Sequence, residues 1–374
     1  MRANTVVAGI GHTAFGKLPG RSTVSMNVEA CRKACGDAGV APDEVDGLLV
    51  KVPTSKVEMM YGQKLAEAMG LQPRVGGVFD QGGASGISMI GIAATAIEAG
   101  QCEVCLVALA DNPRTGTRQA YEKAWGDDSV FGWFSVVASY AMIARRHMHD
   151  HGTTEEQLAR IAVAIRGHGA RNPAAQLRKP LTADEYFASP FVVEPLRRAD
   201  CCLISDGAAA VVVMSAKRAR AKGVAAAVPI LGFGQGNCSN DVSLRRDMTE
   251  TKAGVSAQAA YAMAGLGPRD IDVAQIYDCF TITVLMTLEA YGLCPRGASA
   301  RFYEEGGFGL DGALPLNTAG GLLSETGMPG LQLVLEGVRQ MRGTSVNQKR
   351  GAKTCIVSNQ GGIMHTHSTL ILGA

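Results

Sequence analysis

The stretch DQGGASGIS, Asp80 to Ser88, is a glycine-rich turn that runs into GISMIGIAATAI, a helix apolar on nearly every side. A helix that is apolar all round must be buried. A buried helix that opens at such a turn gathers unsatisfied N–H groups and the positive end of the helix dipole at one point, where a negative charge is stabilised. Here that point is Gly83, which presents no side chain. Chemistry at this turn must therefore use backbone donors around Gly83 and Ser85 together with side chains brought from elsewhere. Two other groupings have spacings that chemistry uses. Cys102 and Cys105 in QCEVC form a C-x-x-C pair, but it leads into LVALA, a buried strand, and reads as core thiols. His147, His149 and His151 in RRHMHDHG are close enough for a metal, yet no carboxylate or cysteine set completes the site; they read as a solvated helix end, and no metal is expected.

The elements that position this turn recur along the chain. TVVAGIG is a strand, and a helix begins at about Ser22, with Ser22 as N-cap, Val24, Val28, Cys31, Cys35 and Ala38 at helical spacing, and Gly39 as the left-handed stop. VDGLLV follows as a buried strand. AGLGPRDIDVAQI from Ala264 repeats AGVAPDEVDGLLV from Ala38, with Ala, Gly, Pro and Asp in step, which is an internal duplication. The order turn, helix, strand from Asp80 returns in LNTAGGLLSETGMPGLQLVLEGVRQMRG followed by KTCIVSNQGG. Two α/β halves result, 1–111 with 196–222 and 223–374. Between them 112–195, rich in Arg, His, Trp and Tyr and broken by NP, KP and SP pairs, reads as a helical and loop insertion that covers something.

Composition agrees. With 374 residues, 47% of them hydrophobic, and a net charge of +2 without charge runs, the chain exceeds one ordinary core and excludes a nucleic-acid surface or a disordered tail. Its ten cysteines sit mostly in apolar runs and read as reduced thiols. No apolar run reaches the roughly 20 residues of a membrane span and the N-terminus has no signal-peptide pattern, so a soluble, cytoplasmic protein is expected.

Across almost the whole chain, AGIGHTAFGK, RRHMHDHGTTEEQLARIAV, SDGAAAVVVMS, YDCFT, NTAGG and SNQGGIMHTHSTLILG resemble the thiolases, and within them the sterol-carrier-protein-like or lipid-transfer branch. The resemblance implies a duplicated five-layered α-β-α-β-α fold, a homodimer, and chemistry on acyl-CoA thioesters where the two halves meet. Coenzyme A would enter as part of the substrate, with no bound cofactor. A thiolase has a nucleophilic Cys in the pattern C-G-S-G at the start of the buried helix, where this chain has Gly83-Ala84-Ser85-Gly86. The family's N-E-A-F or H-D-C-F is Tyr277-Asp278-Cys279-Phe280 here, and the catalytic His falls at Gly327 or Met328. The pattern C-I-G-G-G-x-G matches CIVSNQG without gaps and marks Cys355 as a candidate catalytic thiol; it also fits a buried strand preceding a turn. Cys279 reads as packing.

Without an acyl-carrying thiol, retro-aldol cleavage of a 3-hydroxyacyl-CoA is the reaction whose demands survive: a base for the β-hydroxyl and stabilisation of the enolate. Tyr277 is the expected base, with Asp278 beside it. Gly83, Ser85, Gly361, Gly362 and Asp278 are the expected oxyanion and substrate-contacting positions. A phenol of ordinary pKa about 10 needs help to ionise, and His365 and His367 of MHTHS are the candidates to give it. Members that lack the thiolase Cys resemble side-chain-cleaving aldolases of steroid or related acyl-CoA breakdown, which act with a small OB-fold, zinc-ribbon partner; the second Tyr of that group falls at Gly327. Two other readings stand beside this one: an acyl-CoA C-acyltransferase using Cys355 or a partner's residue, and a non-catalytic lipid- or acyl-CoA-binding subunit.

Overall fold

The two copies of the duplicated segment fold alike. The first helix, Thr23–Ala38, starts on Ser22, whose Oγ accepts from Ser25 N–H (3.1 Å), and ends at Gly39 with φ 61°. A single 3₁₀ turn, Pro42–Glu44, follows, closed by the Glu44 carboxylate accepting from Ala41 N–H (3.0 Å). In the repeat, the helix Ala253–Ala264 ends at Gly265 with φ 68°, and the turn Pro268–Asp270 is closed by Asp270 accepting from Gly267 N–H (2.8 Å). Even the next acidic residue keeps its task. Asp46 accepts from the N–H groups of Glu103 and Val104, and Asp272 from those of Lys353 and Thr354.

The structure is a computed structural model describing residues 4–117, 130–133, 135–238, 242–328 and 330–374. Its strands are β1 (Thr5–His12), β2 (Gly47–Lys51), β3 (Val75–Phe79), β4 (Val104–Asp111), β5 (Phe191–Val193), β6 (Leu196–Arg197), β7 (Gly207–Ser215), β8 (Val228–Asn237), β9 (Val273–Gln275), β10 (Thr354–Gly361) and β11 (Thr366–Gly373). Nine of them form a sheet ordered β3-β2-β4-β7-β1-β8-β11-β10-β9, and β5 pairs with β6 apart from it. The nine-stranded array is two half-sheets meeting at a narrow seam, Val6 opposite Pro229 and Val7 opposite Val228.

The apolar helix Ser85–Glu98 packs on β4 and β7 of one half-sheet and on β10 and β11 of the other. The helix Leu331–Arg342 likewise touches β9 and β10 as well as β1 and β7. These two helices form the middle layer. Thr23–Ala38 covers β1, β4 and β7 outside, and Ala253–Ala264 covers β8 and β11. Helix, sheet, helix, sheet, helix is the expected five-layer order. The all-round apolarity of the middle helix follows from this position: Ile87, Met89 and Ile90 are fully buried, each worth about 1.5–3 kcal/mol of transfer free energy.

The segment between the halves carries the helices Val136–His151, Glu155–Arg171 and Ala183–Ala188. His147 departs from the solvated helix end expected of RRHMHDHG. It is buried, with Nδ1 2.9 Å from Thr153 Oγ1 and Nε2 3.5 Å from Glu289, which ties this segment to the helix Thr281–Ala290. His149 is exposed and pairs with Asp150. Among the described residues no group of three or more His, Cys, Asp or Glu comes together as a metal site, and no helix is long and apolar enough to cross a membrane.

Candidate active site

The turn at Gly83 meets the turn at Gly361 and Gly362 backbone to backbone. Gly82 has φ 56°, and a methyl group there would lie 3.0 Å from Gly362 N; one on Gly361 would overlap Gln81 O. At Gly83 the obstacle is a side chain. A methyl group on Gly83 would overlap the Tyr277 hydroxyl and the Gln360 carbonyl and lie 2.6 Å from Tyr277 Cζ. The phenol oxygen therefore occupies the space into which any side chain at position 83 would project.

Tyr277 is 8% exposed and rigidly mounted. Its N–H donates to Ser358 Oγ (2.9 Å) and its carbonyl accepts from Thr283 Oγ1 (2.9 Å). Asn317 of NTAGG, at φ 46°, clamps the preceding residue, accepting from Ile276 N–H and donating to Ile276 O. Asp278 points away from the phenol into the protein. Its carboxylate is wholly buried and accepts from Leu322 N–H (2.8 Å) and Leu323 N–H (3.2 Å), the opening of the π-helical turn Gly321–Glu325; burial pushes its pKa up to about 7 against those two donors. In this position it fastens the NTAGG segment against Tyr277.

Ser85 is consumed by its own turn, with Oγ accepting from Gln81 N–H (2.8 Å) and donating to Gly82 O (2.7 Å). Gly361 is buried and Gly362 exposed; Gly362 O accepts from Tyr140 Oη (2.9 Å), which brings the inserted segment to the site. His365 lies at the same mouth, Nδ1 accepting from Arg245 Nη2 (2.8 Å). His367 lies deeper, 1% exposed and cross-strand from Gln360; neither ring nitrogen has a hydrogen-bond partner among the described residues. Burial first, and the Arg245 guanidinium second, push its pKa down to about 3, so the imidazole is neutral.

Cys355 is elsewhere. It is fully buried in β10 opposite Val273, as Cys105 in β4 is opposite Gly47, so the two thiols hold equivalent core positions in the duplicated halves. Five residues of strand, ~17 Å at about 3.3 Å each, separate it from Gln360, and burial drives its thiol pKa strongly upward. Cys355→Ala should leave turnover within about threefold while costing about 1 kcal/mol of stability; steady-state kinetics beside thermal denaturation checks both halves. Gly327, where a relay His or second Tyr would fall, faces the chain at Leu203: an added methyl would overlap Leu203 O.

Besides the Gln360 carbonyl, β10 brings Asn359 to this site. It is fully buried, on the face of β10 shared with Ser368 of β11, whose Oγ donates to Ala84 O (2.9 Å). Neither its amide nitrogen nor its oxygen has a partner among the described residues. Asn317, Ser358 and Asn359 lie inside the resembling stretches NTAGG and SNQGG, but the resemblance assigns no role to them or to Tyr140. The available signal was three consecutive polar residues, Ser358-Asn359-Gln360, ending an apolar strand.

The thiolase N-terminal domain family matches residues 5–217, and the thiolase C-terminal domain-like family matches residues 234–374. The chain belongs to the thiolase family. It is 36% identical to a steroid side-chain-cleaving aldolase of Thermomonospora curvata, over 98% of this chain and 97% of that protein. It is also 36% identical to a 17-hydroxy-3-oxo-4-pregnene-20-carboxyl-CoA lyase of Mycobacterium tuberculosis, over the full length of both. Among solved structures, the Ltp2-ChsH2(DUF35) aldolase superposes with a TM-score of 0.90 at 36% identity, covering 100% of this chain and 98% of that one.

Proposed function

We propose that this thiolase-family chain is a carbon–carbon lyase: it cleaves a 3-hydroxyacyl-CoA, of a steroid or similar side chain, by a retro-aldol reaction that never attaches the acyl group to the protein. One observation carries the proposal. The place a nucleophilic side chain would occupy at position 83 holds the hydroxyl of Tyr277. Tyr277, as phenolate, takes the proton of the β-hydroxyl; that carbon becomes a carbonyl as the Cα–Cβ bond breaks, and the bond pair passes to the thioester as an enolate. The phenol then returns its proton to Cα, leaving a ketone and a shortened acyl-CoA with no net proton change. His367, neutral, contributes hydrogen bonding and not charge; His365 and Arg245 line the mouth with Gly362. Cys355 has no part in this scheme. Incubation with a 3-hydroxyacyl-CoA bearing a bulky ring substituent should yield equal amounts of ketone and shortened acyl-CoA; absence of both products refutes the reading.

The division into 1–111 with 196–222, 112–195 and 223–374 is part of the proposal, with 112–195 covering the site. So are two partners. A small OB-fold, zinc-ribbon subunit that holds the CoA ester is supported by the two-component aldolase the chain superposes on. A homodimer is supported by β3, which among the described residues pairs with β2 alone and so leaves an open edge; open edges are normally covered. Val78 on that strand is 43% exposed, and Val57, Met59 and Met60 are exposed beside the helix that packs on it. Val78→Asp should shift the protein from dimer to monomer at micromolar concentration in light scattering; a wild-type protein that is already monomeric refutes the dimer.

A further inference from the structure

Asn359 is buried with both of its amide atoms unsatisfied among the described residues. An orphaned buried amide costs about 1–3 kcal/mol, and native interiors rarely carry one without a reason such as a bound group. Its surroundings say what kind of group. The amide lies between the openings of the two middle-layer helices, Ser85–Glu98 and Leu331–Arg342. A methyl group on Gly86 would be 3.3 Å from Asn359 Nδ2; one on Gly330, the cap of the second helix, would overlap Nδ2 and lie 2.8 Å from Gly83 O. Two helix N-termini of 14 and 12 residues thus converge on the same side chain. Their positive ends favour negative charge there. The same turn that carries Gly86 carries Gly83, where the Tyr277 hydroxyl sits.

We propose that Asn359 is a catalytic residue, its Nδ2–H donating to the thioester oxygen as that oxygen becomes the enolate oxygen, between the two helix openings. This deepens the retro-aldol reading and rests on it. The glycines at 86 and 330 follow: a side chain at 330 would overlap the amide itself, and one at 86 would crowd it. The bond that forms is a hydrogen bond only; the electron pair on the enolate oxygen returns to the carbon framework when Cα is protonated, and Asn359 ends unchanged. Among the described residues the donor has no other partner to give up, and the hydrogen bond strengthens as charge develops on the oxygen, which is what lowers a barrier.

The test separates enolate stabilisation from cleavage. An enzyme that protonates an enolate also removes an α-proton from the product thioester, by reversibility. Wild-type protein, with any partner that co-purifies, is incubated with propionyl-CoA in D₂O, and deuterium at Cα is measured alongside cleavage of a 3-hydroxyacyl-CoA. Asn359→Leu keeps the volume and removes the donor; Asn359→Ala serves if Leu disturbs folding. Removal of one such donor lowers turnover by about 10²–10³-fold, so both exchange and cleavage should fall by about 100-fold or more, with KM within about threefold and the thermal midpoint not lowered. A folded Asn359→Leu or Asn359→Ala protein that exchanges and cleaves like wild type overturns the assignment and leaves the aldolase reading standing. Wild-type protein that exchanges but never cleaves, with exchange lost in the variant, overturns the aldolase reading and keeps the role of Asn359. Wild-type protein that does neither overturns both.

Discussion

Tyr277→Phe should lower retro-aldol turnover by about 10³-fold, or about 4 kcal/mol of transition-state stabilisation, with little change in fold or in binding of the CoA ester. The substitution removes one oxygen. The main chain that carries the ring is held independently of the oxygen: Ser358 and Thr283 hold the Tyr277 main chain, and Asn317 holds Ile276. The Phe ring therefore keeps its place, and the effect falls on kcat. Removing that oxygen leaves the main-chain hydrogen bonds in place, so the variant should keep its fold. Steady-state kinetics with a 3-hydroxyacyl-CoA, and thermal denaturation of the same samples, check the two statements. Turnover within tenfold of wild type would remove Tyr277 as the base.

Gly83→Cys should not make a thiolase. It returns sulfur to the head of the buried helix, where acyl transfer in this family uses it, but the new Cβ has to enter space held by the Tyr277 hydroxyl and the Gln360 carbonyl. One obstacle is a side chain that can swing only by leaving its place beside Gly83; the other is main chain. Overpacking of this kind costs about 1–3 kcal/mol, and displacement of Tyr277 should cut cleavage at least 100-fold. Gly83→Ala should behave in the same way, which separates the steric effect from the thiol. Acyl transfer between CoA thioesters by Gly83→Cys protein would show that room for a nucleophile exists and that Tyr277 does not fill it.

The fold was legible because the duplication is written in residues with local jobs. Pro42 and Pro268 open matching turns, Glu44 and Asp270 close them, and Asp46 and Asp272 bind the N–H groups that start or precede the neighbouring strands. Such pairs act within a few residues or across one strand, so the chain order reveals them. The all-apolar middle helix was legible for the same reason: its period is local and its burial has one explanation.

Half of the site was not legible. Matching CIVSNQG without gaps drew attention to Cys355, which lies in the strand interior, whereas the residues at the Gly83 turn are Asn359 and Gln360 at its end. Alternation then sends them to opposite faces, Asn359 toward the Ser85–Glu98 helix and Gln360 toward Cys279, 3.1 Å from its sulfur. Which face is which depends on how two half-sheets clasp the middle helices, a tertiary fact with no local signature. Asp278 shows the converse. Its place beside Tyr277 made it a candidate for substrate, but one residue along an extended segment reverses direction, and the carboxylate is committed to Leu322 and Leu323. Tyr140 reaches Gly362 from 222 residues away in the chain, by way of the inserted helices.

Cleavage without an acyl-enzyme is tested most directly by weighing the intact protein during the reaction. Wild-type protein is mixed with excess 3-hydroxyacyl-CoA, quenched in acid within the first turnovers, and its mass measured by electrospray while ketone and shortened acyl-CoA are quantified in the same quench. The predicted result is product formation with the polypeptide at its unmodified mass at every time point. A transient mass increase equal to the acyl group, appearing and decaying at the rate of turnover, would contradict it.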